Sequence, residues 1–136
     1  MKIRKAIEKD KEQILKLVGN LYRAAPSEVE GWRRNWLRRM KFTFVAEDKE
    51  NIVGYISNTI TRDSLLIGDL YVSPALRKKG IATKLFRLTE KLKSRLRKKF
   101  LRVDVRKKDA PARKFYSKSG FKFWKLKGKN SFKLRR

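Results

Sequence analysis

The chain has 136 residues and a formal net charge of +26, and it contains neither cysteine nor histidine. These absences exclude disulfides, zinc sites of cysteine and histidine, cysteine nucleophiles and histidine bases. We therefore expect no metal site, and proton transfer must use Asp, Glu, Lys, Tyr or water. The length suits one domain, residues 1–136. No apolar run approaches the roughly 20 residues of a membrane span, and the N-terminus lacks the apolar segment of a secretory signal, which predicts a cytoplasmic protein with no membrane partner.

The positive charge is concentrated in the second half of the chain. Residues 1–68 carry 14 basic and 9 acidic side chains, whereas residues 69–136 carry 25 basic and 4 acidic ones. A field of this sign attracts polyanions, which include nucleic acid, a ribosome surface and phosphorylated cofactors. The alternative is a solvated lysine- and arginine-rich surface, because the basic residues are spread over predicted helices and strands rather than gathered in a tail.

The chain opens with a predicted strand and a predicted helix. Residues 1–7 alternate between polar and apolar side chains, which predicts a short strand with Ile3 and Ile7 facing inward. Asp10 then has the position of a helix N-cap, and Gln13 completes a capping box. Apolar residues recur behind this cap at helical spacing. They are Ile14, Leu17, Val18 and Leu21.

A second helix and a hairpin of two strands follow. Ser27 and Glu30 have the spacing of another capping box, and an apolar stripe continues behind them. The stripe consists of Val29, Trp32, Trp36 and Met40. The segments FTFVAE and IVGYISNTI then flank the polar residues EDKEN, a pattern typical of antiparallel strands joined by a turn.

The second half of the chain alternates strands with helices. The strand LLIGDLYV ends at Ser73, and a long helix begins after Gly80, with apolar residues recurring at steps of three and four. FLRVDVR is the next strand, and Asp109 caps a short helix that Gly120 closes. FKFWKL and NSFKLRR predict a last pair of strands. This order predicts an α/β fold around a mixed, mainly antiparallel sheet.

Residues 71–82, with the sequence YVSPALRKKGIA, join a predicted strand to a predicted helix. The start of a helix offers unpaired N–H groups and a partial positive charge, so it binds anions. Gly80 allows a pyrophosphate to approach the backbone closely, and Arg77, Lys78 and Lys79 add charge-assisted contacts. The residues alone therefore predict either a phosphate-binding turn or a structural turn before a solvated basic helix.

Two stretches of the sequence resemble the motifs of the GNAT (Gcn5-related) N-acetyltransferases. The first is similar to V-x-P-x-x-R-x-x-G-x-A and is formed by Val72, Pro74, Arg77, Gly80 and Ala82. The second, residues 109–121, resembles the family's N-x-x-A-x-x-F-Y-x-x-x-G-F segment. The element order also fits, and the resemblance covers nearly the whole chain. It implies a single-domain α/β fold with about seven strands, helices on both faces of the sheet and a central splay between two strands.

The resemblance implies that acetyl-CoA binds at this splay. Leu70, Tyr71 and Val72 would offer backbone groups to the pantetheine arm. The turn would hold the pyrophosphate through Arg77, Lys78, Lys79, Gly80, Ile81, Ala82 and Thr83. Tyr116 would protonate the departing CoA thiolate, and general acid catalysis of this kind contributes roughly 10²–10⁴-fold. The resemblance also places Asp109 among the cofactor-binding residues. It stands where the family usually has Asn; it caps a helix equally well, but its charge would face a cofactor rich in phosphate.

Two aspartates compete for the role of general base. Asp104 lies in the strand FLRVDVR, 12 residues before Tyr116, and resembles the acidic residue of an L-E-V-R strand that serves as the base in acetyltransferases of the ribosomal-protein N-terminal type. Asp69 precedes the cofactor turn, where many family members carry an acidic residue. Either aspartate could instead form a salt bridge with a nearby lysine or arginine. We favour Asp104.

The resemblance implies transfer to a primary amine and leaves the acceptor open. We favour a protein or peptide amine, at an N-terminus or on lysine, and the chain acting as a monomer or homodimer. A small-molecule amine acetyltransferase is one alternative. The acceptor site is expected between the first two helices and the last strand pair. Its expected members are Tyr22, Trp32, Trp36 and residues 127–130.

A different class of function is a nucleic-acid- or ribosome-associated binding module on the same fold. Aromatic residues are interleaved with lysines near the C-terminus, and such a pattern can stack bases. They are Phe121, Phe123, Trp124 and Phe132. The alternation of Phe121 and Phe123 with Lys122 instead favours aromatic side chains that face the core.

Overall fold

A seven-stranded sheet runs through the described part of the computed structural model, residues 1–23 and 25–136. Its strands are β1 (Lys2–Lys5), β2 (Thr43–Asp48), β3 (Asn51–Ile60), β4 (Ser64–Val72), β5 (Phe100–Arg106), β6 (Lys122–Lys127) and β7 (Ser131–Arg135). Their order in the sheet is β1-β2-β3-β4-β5-β7-β6. Every neighbouring pair is antiparallel except β4 and β5, which are parallel. The predicted mixed, mainly antiparallel sheet is confirmed.

Helices cover both faces of this sheet. Within the described residues they are α1 (Lys11–Leu21), α2 (Pro26–Arg34), α3 (Trp36–Met40), α4 (Ile81–Arg95) and α5 (Ala110–Lys118). Apolar side chains of α4 and α5 share one buried cluster with the sheet, and those of α1, α2 and α3 share a second cluster on the other face. The sheet therefore separates two cores, and any feature in its centre is held from both sides.

The predicted second helix is divided into α2 and α3 at Asn35. The side-chain amide of Asn35 donates to the carbonyl of Gly31 at 2.8 Å, which competes with the helical hydrogen-bond pattern. The break still leaves Trp32 and Trp36 buried, at 1% and 3% exposure, as the predicted apolar stripe requires.

Both predicted capping boxes are wrong, and in the first one both side chains form other hydrogen bonds. Asp10 accepts the N–H of Ile7 at 2.8 Å and pairs with Arg4 at 2.8 Å instead of capping α1 with its side chain. Gln13 accepts the N–H of Ile52 at 2.8 Å. These side chains therefore join the first helix to the sheet rather than to its own backbone.

The predicted capping box of the second helix and the predicted inward position of Ile7 also differ from the structure. No side chain caps α2, and Glu30 pairs with Arg33 at 3.5 Å. Ile7 is 45% exposed, because β1 ends at Lys5 and Ala6 takes the buried position. The predicted end of the α5 helix at Gly120 is confirmed, since Gly120 follows α5 and has a positive φ of 92°.

The two central strands, β4 and β5, separate along their length. They pair only from Ser64 opposite Phe100 to Ile67 opposite Val103. Beyond this point β4 continues to Val72 and β5 continues to Arg106 with no pairing between them. The sheet therefore opens in its middle, and the predicted splay is confirmed.

A β-bulge lies where the strands begin to separate. Ser57 pairs with Asp69 and Asn58 pairs with Ile67, so Gly68 is the extra residue of β4. The bulge shifts the alternation of side chains by one: Ile67 packs with the α4 cluster, whereas Tyr71 belongs to the cluster on the opposite face. Asp69 thereby turns away from the α4 core.

Replacing Gly68 by alanine tests this bulge. A Cβ atom at Gly68 would stand 2.9 Å from the Ser57 hydroxyl, which itself accepts the N–H of Asp69. We expect Gly68→Ala to lower the free energy of unfolding by about 1–3 kcal/mol, since the Ser57 hydroxyl must move away and give up the hydrogen bond from Asp69. The matched control is Gly31→Ala in α2, where a Cβ meets nothing within 4 Å, and it should raise stability by about 0.5–1 kcal/mol. Urea denaturation measures both; equal stability of Gly68→Ala and the parent chain would contradict the assignment.

Candidate active site

The opening between β4 and β5 forms a cleft of about 660 Å³. Its walls come from the two strands, the C-terminal end of α1, the start of α2 and α5. Side chains and backbone that line it include Leu21, Tyr22, Gly68, Asp69, Leu70, Asp104, Asp109 and Tyr116. All three residues predicted to act in catalysis, which are far apart in the sequence, therefore border one cavity.

Tyr116 supplies a hydroxyl group to this cleft from α5. Its ring is held by edge-on contacts with Phe115 and Phe121, each with 5.2 Å between ring centroids. Burial, followed by the charges of Asp69 and Asp109, raises the pKa of the Tyr116 phenol well above its ordinary value. The hydroxyl is therefore protonated throughout the neutral range, as a proton donor must be.

Asp69 is enclosed by hydrogen-bond donors. Its carboxylate accepts from the hydroxyl of Tyr22, from the hydroxyl of Tyr55 at 3.0 Å and from the indole nitrogen of Trp32 at 3.3 Å. Its own N–H donates to Ser57. Burial and then the charge of Asp69 raise the pKa values of both tyrosines, so they remain donors. Asp69 therefore joins α1, α2, β3 and β4 at the floor of the cleft.

Asp104 has a more open environment. Its Oδ2 atom accepts from the ammonium group of Lys127 at 2.8 Å. Its Oδ1 atom is shielded from solvent and has no hydrogen-bond partner among the described residues. A carboxylate oxygen without a donor is costly to bury, and it is free to accept a proton or an ammonium N–H.

The cleft is acidic in a strongly basic protein. Among the described residues its charged lining consists of Arg23, Glu28, Asp69, Asp104, Arg106 and Asp109. Four of the chain's 13 acidic residues thus line the cleft, compared with two of its 39 basic residues. The local charge favours a cationic group such as a protonated amine.

The predicted phosphate turn lies at the end of β4. A short 3₁₀ turn, Pro74–Leu76, leads to Gly80, which has a positive φ of 81° and starts α4. A second cavity of about 220 Å³ opens over this helix start. Its lining includes Val72, Arg77, Lys78, Gly80, Ile81, Ala82, Thr83 and Phe115.

The first turn of α4 directs unpaired N–H groups at this cavity, because the first residues of a helix have no intrahelical acceptor. Gly80 is needed for its conformation rather than for space, since a Cβ there would meet nothing within 4 Å. Arg77 is partly committed: its Nε atom donates to the carbonyl of Val72 at 2.8 Å, and its guanidinium lies over the Tyr71 ring. Lys78 and Lys79 are exposed at the same turn.

A third cavity joins the cleft to the turn. Tyr71, Arg77, Arg106 and Asp109 line it, and it encloses about 630 Å³. Asp109 caps α5 as predicted, by accepting the N–H of Ala112 at 3.1 Å. The third cavity shares at least one lining residue with each of the other two, and we call the three together, which border β4 from Gly68 to Val72, the trough.

The residues along this trough fit acetyl-CoA. Backbone groups of β4 that face β5 after Ile67 have no strand partner, so they can pair with the amides of a pantetheine arm. Positive charge and free N–H groups lie at the turn, where a pyrophosphate requires them. Tyr116 lies at the other end of the trough, with the acidic cleft beside it.

Several residues of the site were not predicted from the sequence. Tyr55, Ser57 and Lys127 contact Asp69 or Asp104 through hydrogen bonds. Lys127 falls within the predicted acceptor segment, but no pattern in the sequence predicted its contact with Asp104. The polar Ser57 inside the apolar run of β3 was the one visible clue, because a buried hydroxyl needs a partner.

Of the residues predicted to form the acceptor site, only some border the cleft. Tyr22 lines the cleft. Trp32 and Trp36 do not, because both rings are buried in the core between α1, α2 and the sheet, and Trp32 reaches the site only through its indole N–H to Asp69. The prediction that Phe123 faces the core with Phe121 is also wrong: Phe121 is 5% exposed and Phe123 59%.

Comparison with known proteins agrees with this geometry. The family model described as Acetyltransferase (GNAT) family matches residues 11–121. The N-acetyltransferase PaiA of Thermoplasma acidophilum, solved with coenzyme A, is 21% identical, with a TM-score of 0.83 over 99% of this chain and 97% of that one. A protein of Pyrococcus horikoshii is 19% identical, with a TM-score of 0.85 over 99% and 96%. A ribosomal-protein-alanine N-acetyltransferase of Brucella melitensis is 21% identical, with a TM-score of 0.79 over 100% and 99%.

A search by sequence and the character of the helices add two further findings. No curated protein sequence matches the chain. Within residues 1–23 and 25–136, none of the helices combines the length and the apolar character that crossing a membrane requires.

Replacing each of the two aspartates by asparagine distinguishes their structural roles. Asp69→Asn places an amide against three donors, and we expect it to lower the free energy of unfolding by about 1–3 kcal/mol. Asp104→Asn removes one ion pair with a half-exposed lysine, and we expect a loss below about 1 kcal/mol. Thermal and urea unfolding compare the two variants. Equal losses would contradict the distinction between an enclosed Asp69 and an open Asp104.

Proposed function

The chain belongs to the acetyltransferase (GNAT) family, and we propose that it transfers the acetyl group of acetyl-CoA to a primary amine of a protein or peptide, at an N-terminus or on a lysine. One observation carries this proposal: the unpaired edge of β4, the Tyr116 hydroxyl and an acidic pocket meet in one trough. The edge and the turn suit the donor, and the acidic pocket suits the acceptor.

The acidic pocket supports an amine acceptor. A primary amine arrives in water as an ammonium ion, which an acidic lining attracts and a basic one repels. Lys127 provides an internal example, because its ammonium group already rests 2.8 Å from Asp104. The second oxygen of Asp104, which has no hydrogen-bond partner among the described residues, can receive the ammonium group of a substrate in the same manner.

A macromolecular acceptor is supported by the shape of the site. The trough runs along the open middle of the sheet and is bordered by α1, α2 and β5 rather than closed over by them. A peptide end or a lysine side chain can enter such a site while the rest of the acceptor stays outside. The name of the Brucella melitensis neighbour, a ribosomal-protein-alanine N-acetyltransferase, agrees with a protein acceptor.

The proposed chemistry assigns one step to each group. Acetyl-CoA supplies an activated acetyl group as a thioester. Asp104 takes one proton from the bound ammonium group, and the free amine forms a C–N bond with the acetyl carbon. The C–S bond breaks, and the nitrogen, now bearing one proton too many for a neutral amide, releases that proton to water. Tyr116 gives its proton to the departing sulfur. Backbone N–H groups along residues 70–72 polarise the acetyl oxygen, and positioning of the two reactants supplies much of the rate.

The cofactor contacts follow from the same trough. Leu70, Tyr71 and Val72 offer backbone groups to the pantetheine arm. The pyrophosphate rests on the turn formed by Arg77, Lys78, Lys79, Gly80, Ile81, Ala82 and Thr83. Asp109 is a helix cap whose carboxylate borders the trough, and we assign it a positioning role. Asp69 holds the floor of the cleft through its three donors.

Tyr116→Phe tests the acid step. Removal of the hydroxyl should lower kcat by roughly 10²–10⁴-fold, while calorimetry should find acetyl-CoA affinity little changed, because the ring stays packed between Phe115 and Phe121. Asp104→Asn should lower kcat in the same range. Tyr71→Phe is the matched control, and it should retain activity because Tyr71 contributes backbone groups.

The acceptor is found by mass spectrometry of peptide libraries and small amines incubated with the protein and acetyl-CoA. The proposal predicts acetylated peptides that disappear with the Tyr116→Phe variant. Acetylation confined to small amines would replace the proposed acceptor with a small molecule. Absence of acetyl-CoA binding at high micromolar concentration would overturn the function itself.

A further inference from the structure

One half of the sheet presents a basic surface, most of whose cations lie outside the linings of the cleft and the trough. Strands β5, β7 and β6 turn alternate side chains away from α4 and α5, and cross-strand pairs bring these side chains into rows: Arg102 opposite Arg135, and Arg135 opposite Lys122. We call this surface the basic sheet face. Its cations are Arg102, Arg106, Lys122, Lys125, Lys127, Lys133 and Arg135.

The sheet pattern explains why this face is open. Residues such as Val103 and Leu134, which alternate with the cations, are buried in the cluster under α4 and α5. The helices of the other layer, α1 and α3, pack against β3, and their apolar cluster draws its strand residues from β2, β3 and β4. The cations of β6 are accordingly exposed, and those of β7 are half-buried.

The charges of this face are not balanced by acids. Its one carboxylate is Asp104, which pairs with Lys127. In residues 1–23 and 25–136, the other six cations of the face form no ion pair, and the buried Nε atom of Arg102 lacks a hydrogen-bond partner. Like charges held this closely repel one another, so a bound polyanion would relieve the repulsion.

Two aromatic rings are set among the cations. Trp124, at a β-bulge of β6, has Arg102, Lys125 and Arg135 within 4.5–4.7 Å of its ring centroid. Arg135 also lies 4.5 Å over Phe100. Flat guanidinium groups and aromatic rings on an exposed sheet are the surfaces on which unpaired bases stack.

We propose that the basic sheet face binds single-stranded nucleic acid, with phosphates against its lysines and arginines and bases against Trp124 and Phe100. Rows of cations across three strands match a backbone that carries one charge per nucleotide. The aromatic rings favour nucleic acid over an acidic peptide, which has no bases to stack. Since Asp104 belongs to both this face and the acceptor cleft, bound nucleic acid would bring an associated protein close to the site of transfer.

The experiment measures binding of a short oligouridylate to the full chain across a range of salt concentrations. For single strands, each phosphate contact contributes about 0.7 to the slope of log affinity against log salt. The variant Lys122→Gln/Lys125→Gln/Lys133→Gln should therefore lower the slope by about 2 and weaken binding strongly. The control is Lys16→Gln/Lys41→Gln/Lys91→Gln, which removes the same charge from exposed positions on other surfaces and should keep the parental slope. If the first variant does not fold, Lys133→Gln alone should lower the slope by about 0.7.

Three results would overturn the proposal. They are no binding of oligouridylate at low salt, equal losses in the two triple variants, and equal or tighter binding of a polyglutamate peptide, which would assign the face to an acidic protein. Acetyl-CoA binding, measured by calorimetry on the same variants, should be unchanged. The nucleic-acid proposal and the acetyl-transfer proposal can therefore fail separately.

Discussion

The parting of β4 and β5 is the constraint on which the site depends. Four residue pairs hold the strands together, and after Ile67 and Val103 each strand continues without the other. An unpaired strand edge in the middle of a sheet is normally unfavourable, because buried backbone N–H and C=O groups need partners. Here the opening exposes those groups to the trough, and α5 brings Tyr116 to its rim. The donor site that we propose is thus made by backbone that the fold leaves unpaired between these two strands.

The bulge at Gly68 determines which face of the sheet the Asp69 carboxylate points to. One extra residue turns Asp69 toward the layer of α1 and α2, where Tyr22, Trp32 and Tyr55 donate to it. With all its neighbours donating, Asp69 serves to hold helices against strands. Asp104, on the opposite wall, keeps one oxygen to which no described residue donates. Two aspartates of the same cleft are therefore suited to different tasks by the number of donors around them.

The sequence was sufficient for much of the fold and for the position of the turn that we propose as part of the donor site. Alternation and helical spacing placed the strands and the long helix correctly, and the turn from Val72 to Thr83 lies where its motif predicted. Local patterns failed where distant contacts decided the outcome. Gln13 binds the backbone of β3 instead of capping a helix, and Phe123 is exposed because no helix packs over it within the described residues. A single-residue bulge and the donors around Asp69 join segments far apart in the chain, so no local pattern could predict them.

Hydrogen exchange of the backbone amides with and without acetyl-CoA tests the central claim most directly. If the unpaired edge of β4 receives the pantetheine arm, the amides of Leu70 and Val72, which face away from β3 in the register of the pair, and those in the first turn of α4 should exchange more slowly when acetyl-CoA is bound. Amides in residues 64–67, already paired with β5, should change little. Unchanged exchange at Leu70 and Val72 with saturating acetyl-CoA would contradict the account.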